Sequence, residues 1–212
     1  MRRSLFGGLL VVAFAAVAGK ALAAQETGTP IFKAPYRAFT NHEFGGSISD
    51  PGTGVSYAVE GFYRYGQGAY DLSVRGGWEH LSSSVNGVAT PCCTRYLLGG
   101  DFRTQILRYS ESIPVDGALT VGFGANVGSG QDSYYLPVGF SIGRRFELEG
   151  SSTTFVPYVH PVIVPRFGGG GSHTDFALGL GVDVRFSRSW AVRASGGIGD
   201  IDGVGVSLAY IH

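Results

Sequence analysis

Apolar and polar residues alternate with a period of two along most of the chain, which is the pattern of strands with two different faces. At positions 55–66, Val55, Tyr57, Val59, Gly61, Tyr63 and Tyr65 alternate with Ser56, Ala58, Glu60, Phe62, Arg64 and Gly66. At 70–79, Tyr70, Leu72, Val74, Gly76 and Trp78 oppose Asp71, Ser73, Arg75, Gly77 and Glu79. Tyr96, Leu98, Phe102 and Ile106 oppose Arg95, Asp101, Arg103 and Gln105, and the same two-face pattern recurs over 119–127, 134–145, 175–186, 190–198 and 203–210. Two further segments are less regular: 36–48 alternates weakly, and 155–167 is apolar on both faces. Together they predict an all-β chain of about ten strands, with eight as the alternative count. The architecture expected is a closed, antiparallel, up-and-down transmembrane β-barrel over residues 36–212.

An even strand number puts both ends of the barrel on the periplasmic side. Turns at 67–68, 149–153 and 187–189 then fall on that side, and 110–117 makes a rather long one. The connection 82–93 and the glycine run 168–171 fall outside. One strand, 155–167, carries Pro157, Pro161 and Pro165 at a single parity. Their missing N–H donors all weaken one seam, which a bulged strand absorbs or a lateral opening exploits.

Composition decides which face meets lipid. Gly makes up 35 of 212 residues, charged residues only 15%, and the mean hydropathy is +0.14. No apolar run is long enough for a transmembrane helix, so a chain this apolar hides its surface in another way, and a lipid-facing barrel provides one. The second face carries the charges and many glycines. A narrow lumen needs small residues to leave room for Arg and Glu, whereas a solvated exterior does not. Aromatics gather at the strand ends: Tyr63, Tyr65, Tyr70, Phe146, Phe186, Trp190 and Tyr210 on one side, Trp78, Tyr96, Tyr134 and Phe176 on the other, as girdles do. A soluble barrel with aromatic strand ends is the competing reading.

The N-terminus reads as a secretory signal peptide over 1–23. Met1-Arg2-Arg3 is basic, Leu5 to Ala18 is apolar, and Ala21-Leu22-Ala23 suits a signal peptidase. Residues 24–35 are expected as an N-terminal periplasmic segment. Removal of Arg2, Arg3 and Lys20 leaves 13 basic and 16 acidic residues, a net charge near −3, with Lys33 the one remaining lysine. That balance gives no reason to expect nucleic-acid binding. The bias to Arg suggests fixed ion pairs.

The charged face supplies the candidate site, a ladder of Glu60, Arg64, Asp71, Arg75, Glu79, Arg95, Asp101, Arg103, Arg145, Asp183, Arg185 and Arg193. A turn at Gln67-Gly68 pairs residues whose numbers sum to 135, setting Glu60 opposite Arg75 and Arg64 opposite Asp71. A turn at 187–189 sets Asp183 opposite Arg193. Charges in a narrow lumen have to be paired or hydrated. The ladder is therefore a structural plug or, in the alternative, an ion-selectivity filter, and the plug is the favoured reading.

Cys92 and Cys93 follow Pro91 in the longest expected outer loop, where a vicinal disulfide would stiffen it; a link to another chain is the alternative, and no spacing supports a zinc site. His42, His80, His160, His173 and His212 are dispersed, and His42-Glu43 and His80-Glu79 are strand neighbours that point to opposite faces. Without a nucleophile motif the chain is expected not to be an enzyme, and neither a cofactor nor a metal is expected. An outer-membrane hydrolase or lipid A-modifying enzyme is the last alternative.

The signal peptide, the polar-in alternation, the turn Phe186-Ser187-Arg188-Ser189-Trp190 and the last strand together resemble the small outer-membrane barrels of the OmpA-transmembrane, OmpX, OmpW and opacity-protein type. The resemblance spans 24–212 and is one of pattern more than motif. It implies a bacterial outer-membrane location, outer-membrane lipid as surroundings, and delivery by the barrel-assembly machinery. Gly205, Leu208 and Tyr210 match that family's terminal assembly signal, although the chain runs on to Ile211-His212. The function this implies is a structural or surface-interaction role with an unidentified extracellular ligand; a narrow channel is the alternative.

Overall fold

The structure is a computed structural model that describes residues 32–35, 42–52, 55–85, 88–168 and 171–212, with the side chains of 83–92 outside the description. The expected signal peptide, residues 24–31 and the expected start of the first strand at 36–41 lie outside the described residues. Strand β1 is His42–Asp50, β2 Val55–Gln67, β3 Tyr70–Val85, β4 Val88–Leu107 and β5 Asp116–Gly128. Strand β6 comes in three pieces, Ser133–Tyr135, Val138–Gly143 and Phe146–Glu147, followed by β7 Thr154–Gly168, β8 His173–Arg185, β9 Trp190–Gly199 and β10 Val204–Ile211. Each strand pairs antiparallel with the next. β10 returns to β1 in continuous register from Glu43↔Ile211 to Asp50↔Val204. Ten strands thus close on themselves and leave no open sheet edge.

The period-two pattern sorts side chains as the alternation predicts. Phe44, Ile48, Leu72, Val74, Leu98, Phe123, Ile163, Leu178, Val206 and Leu208 are exposed on the outer wall. Glu43, Glu60, Arg64, Asp71, Glu79 and Arg103 are buried inside. An apolar exterior around a charged interior inverts the soluble arrangement and needs lipid around it. Aromatic contacts mark the rims. Trp190 meets Tyr210 edge-on at 5.2 Å, Phe146 stacks on Phe155 at 5.0 Å, and His42 lies between Tyr63 and Tyr65 at the rim where β1 starts and β10 ends. Tyr57 and His80 meet at 4.9 Å towards the opposite rim.

Four local expectations need correction. The β2–β3 hairpin pairs Gln67↔Tyr70, Phe62↔Arg75 and Glu60↔Gly77, so the numbers sum to 137 and not 135. The tight turn is Gly68-Ala69, and Gly68 takes φ +54°, a conformation suited to a two-residue hairpin. A shift of two keeps every side chain on its face but staggers Glu60 against Arg75 and Arg64 against Asp71. At the start of β2 a bulge between Val55 and Tyr57 turns Val55, expected outside, into a buried position. The connection 82–93 is not a loop: β3 and β4 continue pairing to Val85↔Val88, and the register shifts between Leu81↔Cys93 and Ser82↔Pro91, which leaves Cys92 as the extra residue of a bulge. Finally, residues 32–35, expected in the periplasm, lie inside the barrel.

The seam between β6 and β7 is the most interrupted. Pro137 splits β6; Gly122 N donates to Pro137 O at 2.8 Å and Leu136 N to Pro165 O at 3.0 Å, which satisfies the backbone around the break. The carbonyls of Pro157 and Pro165 accept from β6, so the donors that these prolines lack would also have faced β6. Register pairs there are Val138↔Ile163, Gly139↔Val162, Ile142↔Val159 and Gly143↔Tyr158, with Phe140 and Ser141 skipped.

Candidate functional site in the barrel lumen

Inward residues of consecutive strands meet across the narrow interior, and their charges alternate. Arg193 on β9 donates Nη1 and Nη2 to the two Glu43 oxygens at 2.6 and 2.7 Å, and its Nε donates to Asp183 at 2.7 Å. Glu43 also faces Arg64 at 3.7 Å, Arg64 faces Asp71 at 3.6 Å, and Arg103 Nε donates to Asp71 at 2.9 Å. The row Asp183, Arg193, Glu43, Arg64, Asp71, Arg103 therefore crosses from β8 to β4 with the sign changing at every step. Nearer the other rim, Arg95 Nε donates to Glu79 at 2.7 Å, and Arg166 pairs with Asp175. Arg75 lies 3.8 Å from Glu60 and donates to Tyr135 Oη at 3.3 Å.

The direct pair Asp183↔Arg193 lies in the register the turn implies. The pairs Glu60–Arg75 and Arg64–Asp71 form diagonally across the staggered hairpin and are correspondingly longer. Two expected members fall elsewhere. Arg145 meets Glu147 at 3.1 Å in a partly exposed pair at the rim. Arg185 donates to the carbonyls of Ser187 and Arg188 and so caps the β8–β9 turn. Four partners, Glu43, His160, Arg166 and Asp175, escaped the sequence reading because 36–48 alternates weakly, 155–167 carries mostly apolar residues on both parities, and the carboxylate at 175 went unmatched.

Residues 32–35 complete the interior. Lys33 Nζ donates to Asp101 at 2.5 Å, and Asp101 also accepts from Ser73. Lys33 N donates to His160 Nδ1 at 3.0 Å, which fixes the imidazole with its proton on Nε2, 2.8 Å from Thr120 Oγ1. Ser141 donates to Lys33 O, Arg103 Nη1 to Ala34 O, and Tyr158 to Phe32 O at 3.4 Å. Phe32, Ala34, Tyr158, Val162 and Ile201 form one buried apolar cluster. The strip is oriented: Pro35 lies by Gly143 near the rim where β1 starts, and Phe32 lies against Gly179 and Gly197 towards the other. Inward glycines make the space. A Cβ at Gly179 would strike the Phe32 side chain, one at Gly99 would crowd Arg75, and one at Gly124 would strike Tyr135. One signal for this strip existed: Lys33 is the sole lysine after the expected cleavage site.

A cavity of about 80 Å³ stays beside the strip, lined among others by Glu60, Arg64, Arg75 and Asp101. Glu60 Oε2, Arg64 Nε, Arg75 Nε and Asp101 Oδ1 have no hydrogen-bonding protein partner. A polar space of that size accommodates several waters.

Elsewhere, Cys93 is disulfide-bonded, and the Cys92 side chain lies outside the described residues. Gly205 points inward on β10, while Leu208 and Tyr210 point to the outer wall. Among the described residues no group of three or more His, Cys, Asp or Glu could hold a metal ion.

No family model and no curated protein matches the chain. Several solved structures do. The β domain of the Bordetella autotransporter BrkA superposes with a TM-score of 0.49 at 16% identity, over 81% of this chain and 99% of that one. A de novo designed transmembrane β-barrel gives 0.38 at 14% identity, over 83% and 98%. The Acinetobacter baumannii outer membrane protein Omp33 gives 0.38 at 10% identity, over 82% and 98%. The closed barrel itself rests on this chain's own strand pairings and on the apolar belt they display.

Proposed function

We propose that the chain is an integral protein of the bacterial outer membrane whose lumen is closed to solute flow, with a structural or surface-interaction role. The observation that carries this reading is the seating of residues 32–35. Their one cation is paired, their backbone is bonded to three strands, and Phe32 fills space left by glycines. Closure is thus shared between wall charges and a strip of the chain itself. In the family's orientation the rim where β1 starts is periplasmic, so the β3–β4 hairpin projects outward. Gly205, Leu208 and Tyr210 are the proposed contact for the assembly machinery.

The second reading, a narrow ion channel, is favoured by the polar cavity beside the strip. Planar-bilayer conductance separates the two. The wild type is expected to be silent, whereas Gly179→Leu, which evicts Phe32, and Lys33→Glu, which sets two carboxylates face to face, are expected to conduct. Steady ion-selective steps from the wild type would instead establish the channel.

A further inference from the structure

The geometry points to a phospholipid site on the outer wall, with the phosphate on Arg144 and one acyl chain reaching an apolar groove that crosses the wall at the level of Phe140 and Pro161. This rests on the membrane-barrel reading.

Arg144 lies on the outward parity of β6, in the gap between Gly143 and Phe146, at the rim where β1 starts. Its guanidinium sits 5.2 Å from the ring centres of both Tyr109 and Phe146, and Nη2 is 3.5 Å from Tyr109 Oη. Among the described residues it has no carboxylate partner, unlike Arg145 beside it, which meets Glu147. An exposed cation held between two aromatic rings at the edge of an apolar belt matches a headgroup phosphate in charge and depth.

The second observation is independent of the first. An open apolar groove of about 600 Å³ crosses the same wall from β5 to β9, lined by Leu119, Val138, Phe140, Pro161, Ile163 and Leu178 among others. It overlies the stretch where β6 and β7 skip register pairs, and Pro161 is part of its lining. Phe140 is four residues from Arg144, roughly 13 Å along an extended strand. One leaflet contributes roughly 15 Å of hydrocarbon. A phosphate on Arg144 therefore places the groove at acyl-chain depth, and the apolar lining suits an acyl chain. The two features lie on one strand in the order in which a phospholipid carries its headgroup and tail.

The test uses the full barrel in phosphatidylcholine vesicles containing a minor fraction of phosphatidylglycerol with a photoactivatable acyl chain. Crosslinks are expected to concentrate on Phe140, Pro161 and Ile163. Arg144→Gln should lower the yield about fivefold, the effect of losing one cation near an anionic headgroup. Pro161→Trp should remove crosslinks within the groove while leaving Arg144 in place. Both positions are exposed, and heat-modifiable gel mobility checks folding. Glycerol phosphate, the headgroup without chains, should not compete; competition by it would make Arg144 an anion site and overturn the lipid assignment. Crosslinks spread evenly over Val74, Leu98 and Val206 would also overturn it, as ordinary annular lipid. A chain that fails to enter the vesicles at all would refute the membrane reading itself, an outcome distinct from either.

Discussion

Glu43 and Glu60 are both buried carboxylates on the lumen side, yet they sit in different surroundings. Glu43 is fully buried and takes two short bonds from Arg193. Glu60 has its nearest cation at 3.8 Å, beyond hydrogen-bond reach, and lines the cavity. Removing the Glu43 carboxylate breaks two short charge-assisted bonds and leaves Arg193 and Arg64 short of a partner, so Glu43→Ala should destabilise the barrel by about 3–5 kcal/mol. Glu60→Ala, which breaks no short bond, should cost about 1–2 kcal/mol. Urea unfolding in vesicles measures both, and equal losses would contradict the ranking of the two carboxylates by their bonds. On the outer wall, Leu180 lies midway along β8. Leu180→Arg should cost about 2–4 kcal/mol at membrane midplane, and unchanged folding would mean that the faces are reversed.

At the scale of strands, stability is uneven around the wall. β3 and β4 pair over their whole length, from Tyr70↔Thr104 to Val85↔Val88. β6 is broken at Pro137 and faces three prolines of β7. The backbone amide of Phe140, which faces β7 opposite Pro161, should therefore exchange with deuterium well before those of Val74 and Gly76, and uniform protection would show that the seam is repaired. The strands were legible because alternation is a local property that needs no knowledge of neighbours. Register was less so: the Gln67-Gly68-Ala69-Tyr70 stretch admits two turns, and placing Gly68 first in the loop moves the pairing by one step on each strand without changing any face. The bulge at Cys92 and the break at Pro137 depend on what the adjacent strand offers, which no single strand records. The strip 32–35 was illegible for a related reason. Its partners, Asp101, Ser141, Tyr158 and His160, lie far along the chain, and apart from the lone Lys33 nothing in four residues of sequence distinguishes a lumen occupant from a linker.

Taken as a whole, the molecule is a closed apolar belt around a charged interior that its own residues 32–35 help to fill. Its central claim is the assignment of the two faces, because the lipid groove, the lumen network and the closure to solutes all depend on it. Strand β10 tests that assignment most directly, since it completes the barrel against β1 and alternates without interruption. Nitroxide labels placed singly at positions 204–210, in a Cys92→Ser/Cys93→Ser background, report collision with oxygen from the bilayer and with a water-soluble nickel complex. Labels at Val204, Val206, Leu208 and Tyr210 should be accessible to oxygen, with the value rising and falling at every second residue. Labels at Gly205, Ser207 and Ala209 should be shielded from oxygen and poorly accessible to nickel, because the lumen is filled. Oxygen access at the second set, or the absence of any period of two, would contradict the account.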